Sequence, residues 1–169
     1  MSRLPVVLAA ASLTTVLGAA VAVPTASAAT CRTRWGSLAE SAGDLTQARL
    51  VGVRAGSHAC FDRLVVDLAG RTAGYRVSYV PQVFTEGKGD VVPLRGGARL
   101  QVVVLAPTSA ARLAVPSVAG MRTFRQVAYA GSLEGQTTLG LGVRARLPFR
   151  VFVLAGARPR LVVDVAHHW

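Results

Sequence analysis

From Leu50 onward, short runs rich in Val, Leu, Phe and Tyr alternate with breaks at Gly and Pro. Runs of this length, composition and spacing predict an all-β sandwich of about eight short strands. The strands fall at Leu50–Arg54, Arg63–Ala69, Tyr75–Val80, Ala98–Leu105, Thr123–Tyr129, Thr137–Ala145, Phe149–Leu154 and Arg160–Ala166. Beyond the first 28 residues, no window of ten carries a helical period. Ala106 to Gly120, with Pro107 and Pro116, reads as a long loop with room for one helical turn. Glu86-Gly87-Lys88-Gly89-Asp90 reads as a turn between strands; its glycines flank a lysine without the spacing of a phosphate-binding loop.

One pattern occurs twice. Arg63-Leu64-Val65-Val66-Asp67-Leu68-Ala69 returns as Arg160-Leu161-Val162-Val163-Asp164-Val165-Ala166. Strand alternation sends Leu64, Val66 and Leu68 to one face and Arg63, Val65 and Asp67 to the other, and the second copy divides in the same way. Arg63 and Asp67 lie about 13 Å apart along one strand, so they cannot pair with each other, but such charges can meet across two strands. The repeat predicts a duplicated half-sandwich and is structural in character.

The first 28 residues have a different pattern. Arg3 precedes an Ala/Val/Leu run from Leu4 to Val23, and Pro24 opens a segment ending Ala26-Ser27-Ala28. A positive start, an apolar stretch and a small-x-small end describe a cleaved secretory signal peptide. An uncleaved anchor is the alternative. Lipidation of Cys31 is set aside because Thr30 precedes it where a small Gly, Ala or Ser is required. The expected organisation is a signal peptide over 1–28, an irregular segment over 29–48 and a β-sandwich over 49–169. The exported chain would be secreted or extracellular, associated with the cell wall, and without stable membrane insertion after cleavage.

Export changes the meaning of Cys31 and Cys60, the two cysteines of the chain. In an oxidising compartment they have one intramolecular pairing open to them, which would tie the irregular segment to the sandwich. A bridged Cys60 offers no thiolate, so His58 beside it makes no Cys–His hydrolase pair. His58, His167 and His168 lack metal-ligand spacing and read as surface or sheet-edge residues, with no metal or cofactor. No Gly-x-Ser-x-Gly occurs, and Thr85 stands three residues before Lys88 where a penicillin-binding enzyme needs serine. Asp62, Glu86 and Glu134 are the carboxylates left for glycoside chemistry once Asp67 and Asp164 are assigned to the repeat. Catalysis has little to stand on.

Charge has more. The chain carries 19 Lys+Arg against 8 Asp+Glu, a formal net charge of +11, and all its basic residues but Lys88 are arginines. Loss of the signal peptide removes only Arg3. Arginine makes bidentate contacts with carboxylates and phosphates, so a basic domain outside the membrane finds its partner in anionic wall polymers. Export argues against nucleic acid. The candidate polymer-binding residues are Arg122 and Arg125, Arg144 and Arg146 (placed on one strand face by alternation), and Tyr75, Tyr79 and Tyr129 as sugar-stacking surfaces. A composition rich in Ala, Arg and Val is equally what a GC-rich genome produces, with charge serving solubility alone.

The string from Arg54 to Asp67, followed by Gly74-Tyr75-Arg76-Val77-Ser78-Tyr79-Val80, resembles the AMIN-like domain family of secreted actinobacterial proteins. So do Trp35-Gly36-Ser37, Gly96-Gly97-Ala98-Arg99-Leu100, Gly131 to Thr137 and the closing Arg160 to His167. The related AMIN domains are β-sandwich modules that target amidases and secretin pores to the envelope, through peptidoglycan. The resemblance implies a fold and an envelope setting without an assigned chemistry. The expectation is a non-catalytic secreted module that binds peptidoglycan or another anionic glycopolymer. The alternatives are a protein–protein module of an envelope complex and a minor cell-wall hydrolase.

Overall fold

The computed structural model describes Cys31 and residues 33–110 and 112–169. The expected signal peptide lies outside the described residues. Among the described residues eleven strands form, in chain order β1 (Glu40–Ala42), β2 (Arg49–Ser57), β3 (Phe61–Ala69), β4 (Tyr75–Val80), β5 (Val83–Phe84), β6 (Val91–Val92), β7 (Ala98–Val104), β8 (Phe124–Leu133), β9 (Gln136–Val143), β10 (Phe149–Leu154) and β11 (Arg160–Ala166). No helix occurs among the described residues. Three of the eight expected strands, Tyr75–Val80, Phe149–Leu154 and Arg160–Ala166, have the expected bounds. The three additions, β1, β5 and β6, are two or three residues long.

A five-stranded sheet ordered β1-β4-β7-β9-β8 faces a four-stranded sheet ordered β10-β11-β3-β2, and β5 pairs with β6 in a small hairpin. All ladders are antiparallel. Alternation builds the core. Leu64, Val66 and Leu68 on β3 and Leu161, Val163 and Val165 on β11 meet Val77, Leu100, Val102, Leu139 and Leu141 from the opposite sheet, all buried. Each such side chain contributes roughly 1.5–3 kcal/mol by leaving water.

The repeat forms the centre of the four-stranded sheet. Its two copies are adjacent antiparallel strands, with Asp164 opposite Arg63 and Arg160 opposite Asp67. A pseudo-twofold axis therefore passes between β3 and β11, with β2 and β10 as equivalent flanks. The copies differ in exposure. On β11, Val162 and Asp164 are buried although they lie on the outer face. Val162 is flanked by Phe152 and Val65 in register, and Asp164 by Arg150 and Arg63.

The N-terminal segment covers a sheet edge. Phe149 N donates to the Gly36 carbonyl at 2.8 Å and Val151 N to Glu40 Oε2 at 3.0 Å, which satisfies free donors of edge strand β10. Just beyond, β1 joins β4 in the other sheet. Cys31 and Cys60 form a disulfide that anchors this segment. On the far side of the molecule, Gly140 and Gly142 leave β9 bare on its outer face. The segment from Val83 to Arg95 lies against it, with Val83, Leu94 and Ala130 as a second small core.

Candidate functional site

Two polar systems are built on the repeat's sheet. On the outer face, Asp164 is fully buried and accepts from Arg63 Nε at 2.6 Å and Nη2 at 2.9 Å, and from Arg150 Nε at 2.9 Å. The two guanidiniums in turn lie over aromatic rings. Arg150 stands 4.3 Å from the Trp35 ring centre and 5.2 Å from that of Phe152, and Arg63 5.1 Å from that of Phe61. Trp35 is thereby held on the sheet by a cation–π contact that also shields the ion pairs. Along the same face, Asp67 accepts from Arg54 Nε at 2.6 Å and Nη2 at 2.7 Å. These hydrogen bonds hold the Asp67 carboxyl below its ordinary range, with burial opposing them and the charges of Arg160 and Arg158 adding to them.

Inside the sandwich, at the closed end of β3, Asp62 is fully buried. Its Oδ2 accepts from Thr123 N at 2.6 Å and Phe124 N at 3.0 Å, and its Oδ1 from Ser57 Oγ at 2.7 Å. His167 lies beside it, Nε2 4.0 Å from Asp62 Oδ1 and 2.9 Å from the His58 carbonyl oxygen. A carbonyl only accepts, so Nε2 carries a proton. Nδ1 sits 3.0 Å from Thr123 Oγ1. The group has the members of a hydroxyl–His–Asp relay, but Thr123 is fully buried and within reach of the Ala166 carbonyl, which gives a substrate no approach. Its work is to join the His58–Phe61 turn, the start of β8 and the chain's end. His167 is therefore a core residue and not the surface or edge residue expected, because its ring finds hydrogen-bond partners from two distant segments, at Thr123 and His58. His58 and His168 are exposed, His168 with Nε2 3.2 Å from the Cys31 carbonyl. No group of three or more His, Cys, Asp or Glu gathers to hold a metal ion among the described residues. Glu86 accepts from Thr138 Oγ1 at 2.6 Å, and Glu134 occupies the β8–β9 turn at φ 50°.

The candidate polymer-binding residues do not form one surface. Strand β9 ends at Val143, so Arg144 and Arg146 lie in the β9–β10 loop, and strand alternation does not govern them. Arg144 donates to the His167 carbonyl and secures the C-terminus. Arg146 turns to the N-terminal segment, donating to the Ser37 carbonyl at 3.0 Å, and lies 5.2 Å from the Tyr79 ring centre. Arg125 folds onto its own chain, donating to the carbonyls of Met121, Arg122 and Phe124. Arg122 is exposed at the entry to β8. Tyr75 is buried, and Tyr129 is half-buried against the core. Tyr79 accepts from Leu147 N at 3.0 Å and donates to its carbonyl at 2.8 Å; burial raises its phenol.

Of these residues, Arg146 and Tyr79 share a groove of about 350 Å³ with Arg99, Gly97 and Pro81. Sequence reasoning missed Arg99, which is only half-buried and precedes the inward-facing Leu100. The available signal was its place in the Gly96-Gly97-Ala98-Arg99 string. Gly97 is required there: a Cβ would collide with the Arg144 carbonyl oxygen, so glycine lets β7 approach the β9–β10 loop. Among the described residues, only Arg54, Arg63 and Arg150 form ion pairs with carboxylates. The other described arginines lie beyond ion-pair distance of any described carboxylate.

A sandwich built on a paired Arg-Leu-Val-Val-Asp motif agrees with the comparison against protein families. The AMIN-like domain model matches residues 48–167, and the chain belongs to that family. No curated protein and no solved structure matches it. Family membership gives the chain the character of an envelope-associated module, and the disulfide agrees with a location outside the cytoplasm.

Proposed function

We propose that the protein is a secreted, non-catalytic module that holds an anionic wall polymer, peptidoglycan or an anionic glycopolymer, against its surface. The observation that carries this is the arginine excess, which among the described residues leaves all but Arg54, Arg63 and Arg150 without a carboxylate ion pair. In an envelope setting, such a surface meets polymers bearing carboxylates and phosphodiesters, and arginine suits both. The Tyr79–Arg99–Arg146 groove offers two guanidiniums beside an aromatic wall, the combination that grips a charged sugar. Tyr79 contributes an edge and not an open face, since Arg146 already covers it.

Sedimentation of purified protein with isolated sacculi tests the reading. Protein should pellet at low salt and be released as salt rises, because polyanion contacts release counterions. Arg99→Ala with Arg146→Ala should weaken binding and flatten the salt slope. Absence of pelleting at low salt refutes the proposal. Retention that survives high salt and the double variant removes the arginines from the site. Release of wall fragments during incubation would instead reveal a hydrolase, and envelope proteins crosslinked in intact cells would favour a protein–protein module.

A further inference from the structure

The pseudo-twofold axis between β3 and β11 creates two related sockets on the outer face of the four-stranded sheet, and they are filled differently: Arg150 stands opposite Asp164, whereas Gly52 stands opposite Asp67 and Arg54 reaches it from two residues further along β2. Each is centred on the aspartate of one repeat copy. Each has an arginine from the flanking outer strand, Arg150 for Asp164 and Arg54 for Asp67. Each has a register partner from the other copy, Arg63 for Asp164 and Arg160 for Asp67. The Asp164 socket is closed, with both arginines bonded to a fully buried carboxylate. In the Asp67 socket only Arg54 bonds, and it occupies both carboxylate oxygens. Arg160 leaves its Nε buried without a hydrogen-bond partner.

A buried donor without an acceptor costs roughly 1–3 kcal/mol, so few persist without a reason. Arg160 lines an open groove of about 680 Å³, whose wall also holds Arg54 and Arg158 with Val51 and Pro159 beside them, and its unpartnered Nε lies buried behind that wall. Three guanidiniums surround one carboxylate, which leaves two positive charges in excess. Neither Arg158 nor Arg160 forms an ion pair with a carboxylate among the described residues. An oxyanion entering the groove would supply Arg160 with its acceptor and Arg158 with its counter-charge.

We propose that this groove is an anion-binding site that takes a single carboxylate or phosphate group, with Arg160 and Arg158 as its donors. It is separate from the Tyr79–Arg99–Arg146 groove and shares no residue with it. It rests on the polymer-binding reading only for the larger molecule that presents the anion; the anion chemistry stands alone.

The test is titration of the purified chain, followed through the arginine Nε–Hε signals in nitrogen–proton NMR spectra. Inorganic phosphate is one probe and acetate the other, both at constant ionic strength. The expected result is a saturable shift of the Arg160 signal that exceeds the shift of Arg63. Arg158→Gln, at an exposed position, should weaken that saturation several-fold and leave the remaining spectrum folded. Tighter saturation by phosphate would assign a phosphodiester source, and tighter saturation by acetate a carboxylate source. A shift that is linear in both probes and equal for all arginines overturns the proposal, as does saturation unchanged in Arg158→Gln. Sacculi that fail to bind would defeat the polymer reading and leave this titration to decide the groove independently.

Discussion

Replacing Asp62 with alanine tests the claim that one buried carboxylate fastens three segments at the closed end of the sandwich. The native carboxylate accepts the backbone N–H groups of Thr123 and Phe124 and the Ser57 hydroxyl, with no exposure to water. Alanine leaves the two backbone donors at the start of β8 buried without acceptors. At roughly 1–3 kcal/mol for each orphaned group, and with the hydroxyl free to turn elsewhere, the expected loss is about 3–5 kcal/mol. Urea unfolding followed by tryptophan fluorescence measures it. With a slope of about 2 kcal/mol per M for a domain of this size, the midpoint should fall by roughly 2 M. Asp62→Asn should cost less, about 1–2 kcal/mol, because its remaining oxygen can face both N–H groups while its amide donates to Ser57 Oγ. Ser57→Ala should cost less again. If alanine costs no more than asparagine, or less than about 1 kcal/mol, Asp62 is not the fastening and the argument fails.

The other expectations concern the bridge, the outer-face ion pair and the bare strand. Changing Cys31 and Cys60 to serine opens a loop with a sequence separation of 29 and should lower stability by about 2–4 kcal/mol. The unreduced native protein should show no free thiol to a labelling reagent, and stoichiometric labelling would contradict the bridge. Asp67 titrates below its ordinary value in the folded chain, so its contribution is present above the unfolded-state pKa and disappears as pH falls through the lowered folded value. Asp67→Asn should therefore flatten the decline in stability below about pH 4, and an unaltered acid limb would contradict the pairing. Gly142→Ala sets a methyl group against the Arg95 carbonyl oxygen and should cost about 1–3 kcal/mol in thermal unfolding. Gly56→Ala, with nothing within 4 Å of the new Cβ, is its control, and equal effects at the two sites would contradict the packing.

Several features were legible because they depend on local periodicity. The alternation in Arg63–Ala69 and Arg160–Ala166 announces two half-buried strands, and every inward residue expected on β3 is in the core. The meeting of charges across two strands was also legible: residues too far apart to pair on one strand needed a partner strand, and Arg63 found Asp164. The cysteine pairing followed from a count of two.

Tertiary structure decided what depends on neighbours distant in sequence. Strands β1, β5 and β6 are too short for propensity to mark, and they exist because β4 offers an edge and Gly140 and Gly142 leave a bare surface. Nothing around Arg144 and Arg146 reveals that β9 stops at Val143, after which the two side chains serve opposite ends of the chain. Tyr75 and His167 are polar-tipped residues that solvent would accept; only the partners Val151, Thr123 and His58, brought from far along the chain, allow them to be buried. The repeat shows the division most clearly. Its two copies have the same Arg-Leu-Val-Val-Asp core, so the repeat by itself makes the centres of their sockets alike. What surrounds them in space closes one over Asp164 and leaves the other open beside Arg160, because burial and hydrogen bonding depend on the whole assembled sheet and not on the strand alone.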